Sequence, residues 1–290
     1  GRGRTASFSQ AYRAQLLEKG KYSFDKAYLG SYKDFVTDYY KLGYLMVGKT
    51  RVLYGSDTWS NALENIGKKP FSITPLNTSL KATTKQSSKQ LYNSIFNNLA
   101  NEWRTDLQSR SIDSITVLSP AKKSYTEYLY PKVFHDSLIF AYRKSINDIG
   151  RFVLIYPNKS EQVIYTTGDI YEESASLTGN YIIWAEKRAD LRWTHAEHSV
   201  IQVYNIETKT KKEFKTVYNL FSPVISPNLK TFAAVEVDKE NNYSIGIYNL
   251  LTGERLDKIQ TPDNQYFFTP SWDEKGEKLY SVSLSEKGKS

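Results

Sequence analysis

The chain has 290 residues, 40% apolar and 24% charged, with a formal net charge of +8 from 39 basic and 31 acidic side chains. This length leans towards two domains, and this composition excludes a chain disordered throughout. Cysteine is absent, which removes a disulfide framework, a thiolate metal site and a Cys nucleophile, and no run of 18 apolar residues offers a membrane span.

The chain opens Gly1-Arg2-Gly3-Arg4, with no initiator Met and no apolar stretch of a signal peptide, and reads as a cut point. Helical periodicity follows to about residue 108. Phe8, Tyr12 and Leu16 recur at i, i+4 and i+8, with Gly20 placed to stop the helix. A second helix is predicted from near Asp38 to Tyr54, with Tyr40, Tyr44 and Val47 on its buried stripe and Gly55 closing it. Ser56 is the expected cap of a short helix bearing Trp59, Leu63 and Ile66, stopped by Gly67. Pro75 has the place of an N1 proline. Ser87 and Gln90 form an S-x-x-Q capping box ahead of Leu91, Ile95, Leu99 and Trp103. These aromatic stripes read as core rather than as a cofactor box.

Beyond about residue 110 the period falls to 2, in short β-branched runs divided by Gly, Pro, Asn and Asp. Pairs of runs recur: 138–142 with 152–156, 181–185 with 200–204, and 232–235 with 245–248; a fourth begins at 278–282. Ile139, Ile183, Ala233 and Tyr280 stand 44, 50 and 47 residues apart. A four-stranded repeat of about 40–50 residues is the period of propeller blades, none of which is stable alone. A strand near Ile115-Thr116-Val117 is a candidate outer strand for a closing blade. The expected organisation is α+β and multidomain: an all-α domain over 1–108, then an incomplete all-β propeller of three to four four-stranded antiparallel blades over 109–290. The 23 tyrosines suit half-buried strand faces and wet binding surfaces.

The turns carry a resemblance. Ser222-Pro223-Val224-Ile225-Ser226-Pro227-Asn228-Leu229-Lys230 and Thr269-Pro270-Ser271-Trp272-Asp273-Glu274-Lys275-Gly276 follow one plan, and Tyr248-Asn249-Leu250-Leu251-Thr252-Gly253-Glu254 is an outer hairpin with a counterpart at 204–209. These units resemble the WD40-like blades of the TolB family over roughly 125–284. Asn228-Leu229 replaces Asp-Gly in that family's turn, and Leu177-Thr178-Gly179-Asn180 replaces its S-P-D-G. The helical part, through Gly30-Ser31-Tyr32-Lys33-Asp34, Tyr39-Tyr40-Lys41-Leu42-Gly43-Tyr44 and Tyr54-Gly55, resembles the region after the catalytic helix in bacterial gluzincin-type metallopeptidases. That resemblance implies a peptidase-associated domain, yet H-E-x-x-H is absent and the first His is His135.

No catalytic residue is identified: G-x-S-x-G and phosphate-cradling glycine loops are missing. His195-Ala196-Glu197-His198 is the one close His pair; it reads as a solvated loop, and neither a metal nor another cofactor is expected. Asp169, Glu172 and Glu173 read as a solvated connection between blades. The densest basic cluster, Lys209, Lys211, Lys212 and Lys215, is interrupted by Glu207 and Glu213, so no nucleic-acid partner is expected. The segment Lys187 to His198 reads as a loop between the second and third strands of the second blade, on the face where, as the resemblance implies, a propeller channel opens. Arg188, Arg192, Trp193, His195 and His198 are the candidate binding residues, since Arg beside Trp is enriched in binding hot spots; the plainer alternative folds Trp193 over its own blade.

The sequence therefore predicts a non-catalytic binding or scaffolding module that engages a protein or peptide. By resemblance it belongs to the periplasm or cell surface of a bacterial envelope, with open propeller edges available for self-association. The rival expectation is a fragment of a zinc metallopeptidase lacking its H-E-x-x-H half, with the propeller recruiting or gating polypeptide.

Overall fold

The computed structural model describes residues 6–68, 71, 73–111, 114–193, 197–285 and 288–289. The chain divides into two compact units, Gly1–Thr116 and Val117–Ser290.

The first unit is helical: α1 (Ala6–Glu18), α2 (Phe24–Leu29), α3 (Tyr39–Tyr54), α4 (Thr58–Gly67), α5 (Pro75–Thr84) and α6 (Ser88–Gln108). The helix starts follow local chemistry. The Asp38 carboxylate accepts from the Lys41 N–H at 3.0 Å, Pro75 opens α5, and Ser87 and Gln90 close a reciprocal capping box. Its core joins Tyr12 and Leu16 of α1, Leu42, Leu45 and Met46 of α3, and Leu91, Tyr92, Ile95, Phe96 and Leu99 of α6.

Two predicted stripes are rotated. Tyr40 and Tyr44 of α3 are 70% and 44% exposed; the buried stripe is Leu42, Leu45, Met46 and Thr50. Both stripes have helical spacing. The aliphatic one buries no unpaired phenol, and the Thr50 hydroxyl is satisfied by the Met46 carbonyl at 2.6 Å. In α4 the cap position is Asp57 rather than Ser56, and Thr58 and Ala62 are buried while Leu63 is exposed. Trp59 still packs against the core. The short α2, capped by Ser23, is an addition to the predicted helices.

The second unit consists of antiparallel meanders. Sheet one contains β1 (Thr126–Phe134), β2 (Leu138–Ser145), β3 (Asp148–Ile155) and β4 (Glu161–Thr166). Sheet two contains β5 (Ile170–Thr178), β6 (Tyr181–Ala189), β7 (Glu197–Asn205) and β8 (Lys211–Phe214). Sheet three contains β9 (Asn219–Ile225), β10 (Thr231–Val237), β11 (Tyr243–Asn249) and β12 (Arg255–Gln260). Sheet four contains β13 (Tyr266–Trp272), β14 (Leu279–Ser285) and a two-residue β15 (Gly288–Lys289). Each strand pairs with the next in sequence, the connectivity of propeller blades.

The sheets stack face to face. Phe140, Tyr142 and Phe152 of the first meet Ile182, Trp184 and Tyr204 of the second in one buried cluster. On the second sheet's other face, Ile183, Ala185, Ile201 and Val203 meet Leu220, Phe232, Ala234 and Tyr248 of the third. The first strands of neighbouring sheets are stitched by side chains. Lys132 Nζ donates to the Leu177 carbonyl at 2.7 Å, Ser176 Oγ to Pro223 at 3.1 Å, Thr178 Oγ1 to Ile225 at 3.2 Å and Trp272 Nε1 to Val224 at 3.3 Å. The fourth strand of the third sheet is exposed along its length, as an outer edge.

This packing corrects the repeat phase. Ile183 faces the third sheet, whereas Ile139, 44 residues earlier, lies on the face of the first sheet turned away from the second. The residue equivalent to Ile183 is Phe140, so the first interval is 43. A slip of one residue exchanges the two faces of a strand. Ser222-Pro223 and Thr269-Pro270 lie within first strands, at register shifts. Proline has no N–H for the ladder and is accommodated in such a bulge. The described residues around Ile115 and Val117 form no strand, and both side chains are exposed.

The stripe assignment is testable by thermal or denaturant unfolding: Leu45→Ala should cost about 2–4 kcal/mol, and Tyr40→Ala less than about 1 kcal/mol.

Candidate binding surface

Chemistry in the second unit begins with where charges sit. Arg143, Glu186 and Glu236 occupy one position in the second strands of three consecutive sheets, at the 43- and 50-residue intervals. All three are buried. An ion on an apolar sheet face is tolerated only with partners, and each has them. Arg143 binds Glu161 of β4 and Asp148 at 2.8 Å, and Glu161 also accepts from the Tyr128 hydroxyl at 2.7 Å. Glu186 accepts from Arg188, from the Trp184 indole at 3.1 Å and from the Gly168 N–H at 3.1 Å. Glu236 accepts from the Tyr248 hydroxyl, from Ser244 at 3.0 Å and from Arg255 of β12 at 3.3 Å. A Cβ at position 246 would meet the Glu236 carboxylate and the Tyr248 ring, so Gly246 leaves the room through which Glu236 crosses β11. Burial, then the hydrogen bond to Glu236, pushes the Tyr248 phenol up.

These pairs bind second strand to fourth across the third, and they settle the place of Arg188. It bridges Glu186 and Glu213 of β8, at 2.9 Å for the latter. The second and third strands of this sheet pair in unbroken register out to Arg188–His198 and Ala189–Glu197. Residues 187–189 and 197–198 of the expected loop therefore belong to the two strands. Arg188 and His198 are opposed strand residues at the hairpin base, with His198 exposed. Glu172 and Glu173, expected in a connection, fall within β5, and Asp169 pairs with Lys187 at 3.3 Å.

At the hairpin tip, Asp190 Oδ1 accepts from the N–H groups of Arg192 at 2.8 Å and Trp193 at 3.0 Å, an Asx-type turn. Those two backbone hydrogen bonds hold the Asp190 carboxyl below its usual range. The turn presents Leu191 and Trp193, the latter 65% exposed, with the Arg192 guanidinium 5.8 Å from the indole centre. Trp193 does not fold over its blade. His195 lies outside the described residues. Leu191 completes an apolar, cationic and aromatic tip; the sequence marked it only by its place between Asp190 and Arg192.

The turns after β9 and β13 share one geometry. The Leu229 N–H closes on the Ser226 carbonyl at 2.9 Å, and the Gly276 N–H closes on the Asp273 carbonyl at 3.1 Å in the same way one blade later. Both residues are left-handed, at φ 59° and 72°. Glycine adopts that conformation freely, whereas a residue with a Cβ loses about 1 kcal/mol or more.

Among the described residues, no three His, Asp or Glu side chains converge to hold a metal ion. No helix among them is long and apolar enough to cross a membrane.

Strand order, face-to-face stacking and stitched first strands define the class: the second unit is a partial β-propeller of four-stranded blades, preceded by a helical unit. No protein-family model and no curated protein matches the chain. Solved structures similar to it are TolB and other propeller proteins. TolB from Acinetobacter baumannii is 13% identical over 54% of this chain and 37% of its own, with a TM-score of 0.42. The propeller domain of the Trilobed protease from Pyrococcus furiosus is 11% identical over 58% of this chain and 57% of its own, at 0.36. A Bacteroides thetaiotaomicron protein of unknown function is 10% identical over 57% and 43%, at 0.36. The chain spans less than two thirds of each of these.

These ion pairs give the second unit an acid limit. Burial raises the Glu161 carboxyl, but hydrogen bonds from Tyr128 and Lys122 and the Arg143 charge outweigh it; Gln202 and Arg188 do the same for Glu213. Both folded values lie below the unfolded one. The stabilisation is thus fully present above about pH 4.3, the unperturbed Glu value, and is lost as pH falls below it. Acid unfolding followed by circular dichroism should show this loss, and Glu161→Gln should flatten it while lowering stability at pH 7.

Proposed function

We propose that the propeller unit is a non-catalytic binding module that engages a protein or peptide through the β6–β7 hairpin tip. One observation carries this reading: an exposed Arg192–Trp193 pair, set by the Asp190 turn, stands on a hairpin whose base is held by the Arg188–Glu186–Glu213 pairs. A large aromatic beside a planar cation, on a backbone turn already closed by Asp190, contributes strongly at a contact centre. His198 lies at the base of this surface. The resemblance of the turns to TolB-family blades supports a bacterial envelope setting, periplasm or cell surface.

The test is selection of peptides from a random display library on the immobilised chain, followed by affinity measurement. An Arg192→Ala/Trp193→Ala double variant should bind the selected peptides at least about tenfold more weakly, with unfolding unchanged. Equal affinity for the variant would remove the tip as the contact.

A further inference from the structure

The end of the second blade opposite the hairpin tip opens into a cleft of about 740 Å³, between the second and third blades. The nine residues of β6 separate the two places by on the order of 25 Å. Its lining combines the aliphatic Val203, Leu229, Leu250 and Leu251 and the Tyr181 ring with Lys212, Lys230, Asn205, Asn249, Thr208 and Thr210.

Hydrogen-bond accounting shows what the amides and Lys212 can offer. Asn205 Oδ1 already accepts from the N–H groups of Glu207 and Thr208, both at 3.0 Å. Asn249 Oδ1 accepts from those of Leu251 at 2.8 Å and Thr252 at 3.0 Å. Both side-chain carbonyls are consumed, so the two amides have only N–H donors to offer a ligand. Lys212 spends one donor on the Leu251 carbonyl at 3.3 Å and keeps two. No carboxylate lines the cleft among the described residues. The lysine ammonium groups and the two amides offer donors only, and with the aliphatic lining they suit a carboxylate flanked by an apolar side chain.

Leu229 enlarges the apolar part of that lining. The chain holds a leucine left-handed where the matching turn of the next blade has Gly276, and the side chain gained lines the cleft.

We propose that this cleft binds a short acidic peptide segment. Its Asp or Glu carboxylates meet Lys212, Lys230 and the Asn205 and Asn249 amides, while its aliphatic side chains lie on Leu229, Leu250 and Leu251. An inorganic anion would leave that aliphatic lining unused. The site is separate from the hairpin tip and does not depend on it.

Calorimetric titration of the full chain with acetylated, amidated Leu-Glu-Leu-Glu-Leu tests the proposal, with its Leu-Gln-Leu-Gln-Leu counterpart and inorganic phosphate as the other arms. The acidic peptide should bind, and the Gln peptide at least about tenfold more weakly. Lys212→Ala/Lys230→Ala should lose about tenfold in affinity for the acidic peptide, and Leu229→Gly should weaken it with the melting temperature held within about 3 °C. Arg192→Ala/Trp193→Ala should leave this binding unchanged, which separates failure here from failure at the tip. No binding by the parent chain, equal binding of the two peptides, loss in the tip variant, or displacement by phosphate at equal concentration would each overturn it.

Discussion

Every blade of the second unit has two apolar faces, and only a neighbouring blade can cover them. The second blade shows this most fully. Trp184 and Ile182 face the first blade, while Ile183 and Ala185 face the third, all without contact with water. The Phe152 and Trp184 rings meet edge to face at 5.1 Å across one interface, and Phe232 and Tyr248 stack at 5.0 Å on the other. Each large side chain so buried is worth about 1.5–3 kcal/mol against exposure. The meander order, the proline bulges and the stitched first strands all serve this stacking, since they bring the sheets into face-to-face register.

The buried ions exist within that constraint. At one position of the second strand, where the stacked face ends, three blades place a charge; the first and third supply the opposite sign from the fourth strand, and the second from Arg188 of the same strand, which reaches on to Glu213 of β8. Removing one partner would strand the other in a poorly solvated place, so the pairs act less as sources of net stability than as constraints on register. The consequence for the candidate surface is direct. Arg188 looks like a binding residue in the sequence, being polar, near Trp193 and outside the apolar run. In the fold it ties β6 to β8 and stiffens the hairpin that carries Arg192 and Trp193.

Much of the architecture was legible because its signals are local. Ser87 and Gln90 announce α6, Pro75 announces α5, and the β-branched runs around Ile139, Ile183, Ala233 and Tyr280 announce the second strands. What escaped depends on which face turns inward. Tyr40 and Tyr44 have the spacing of a core stripe, but a phenol is content half in water, and the aliphatic stripe of Leu42, Leu45 and Met46 displaced them. The 44-residue interval matched one isoleucine with another, although their side chains lie on opposite faces. The β6–β7 pairing runs on through Lys187 and Arg188 because strands that extend past their neighbours are solvated and take polar residues, which read as loop. The repeated Glu186 and Glu236 were a usable signal: a carboxylate at the same offset in two apolar strands.

The stitched stacking also shapes how the unit holds together as a whole. An arrangement in which each module touches only its two neighbours behaves as a one-dimensional chain of coupled elements. The interior blades, sharing two interfaces, set its cooperativity, and a defect in the Trp184 layer weakens two couplings at once. A defect confined to the outer strand Arg255–Gln260, which is tied to Glu236 of the same blade, stays within that blade. Tolerance to substitution in this unit is therefore expected to be graded along the strand order of each sheet, strict at the first three strands and permissive at the fourth.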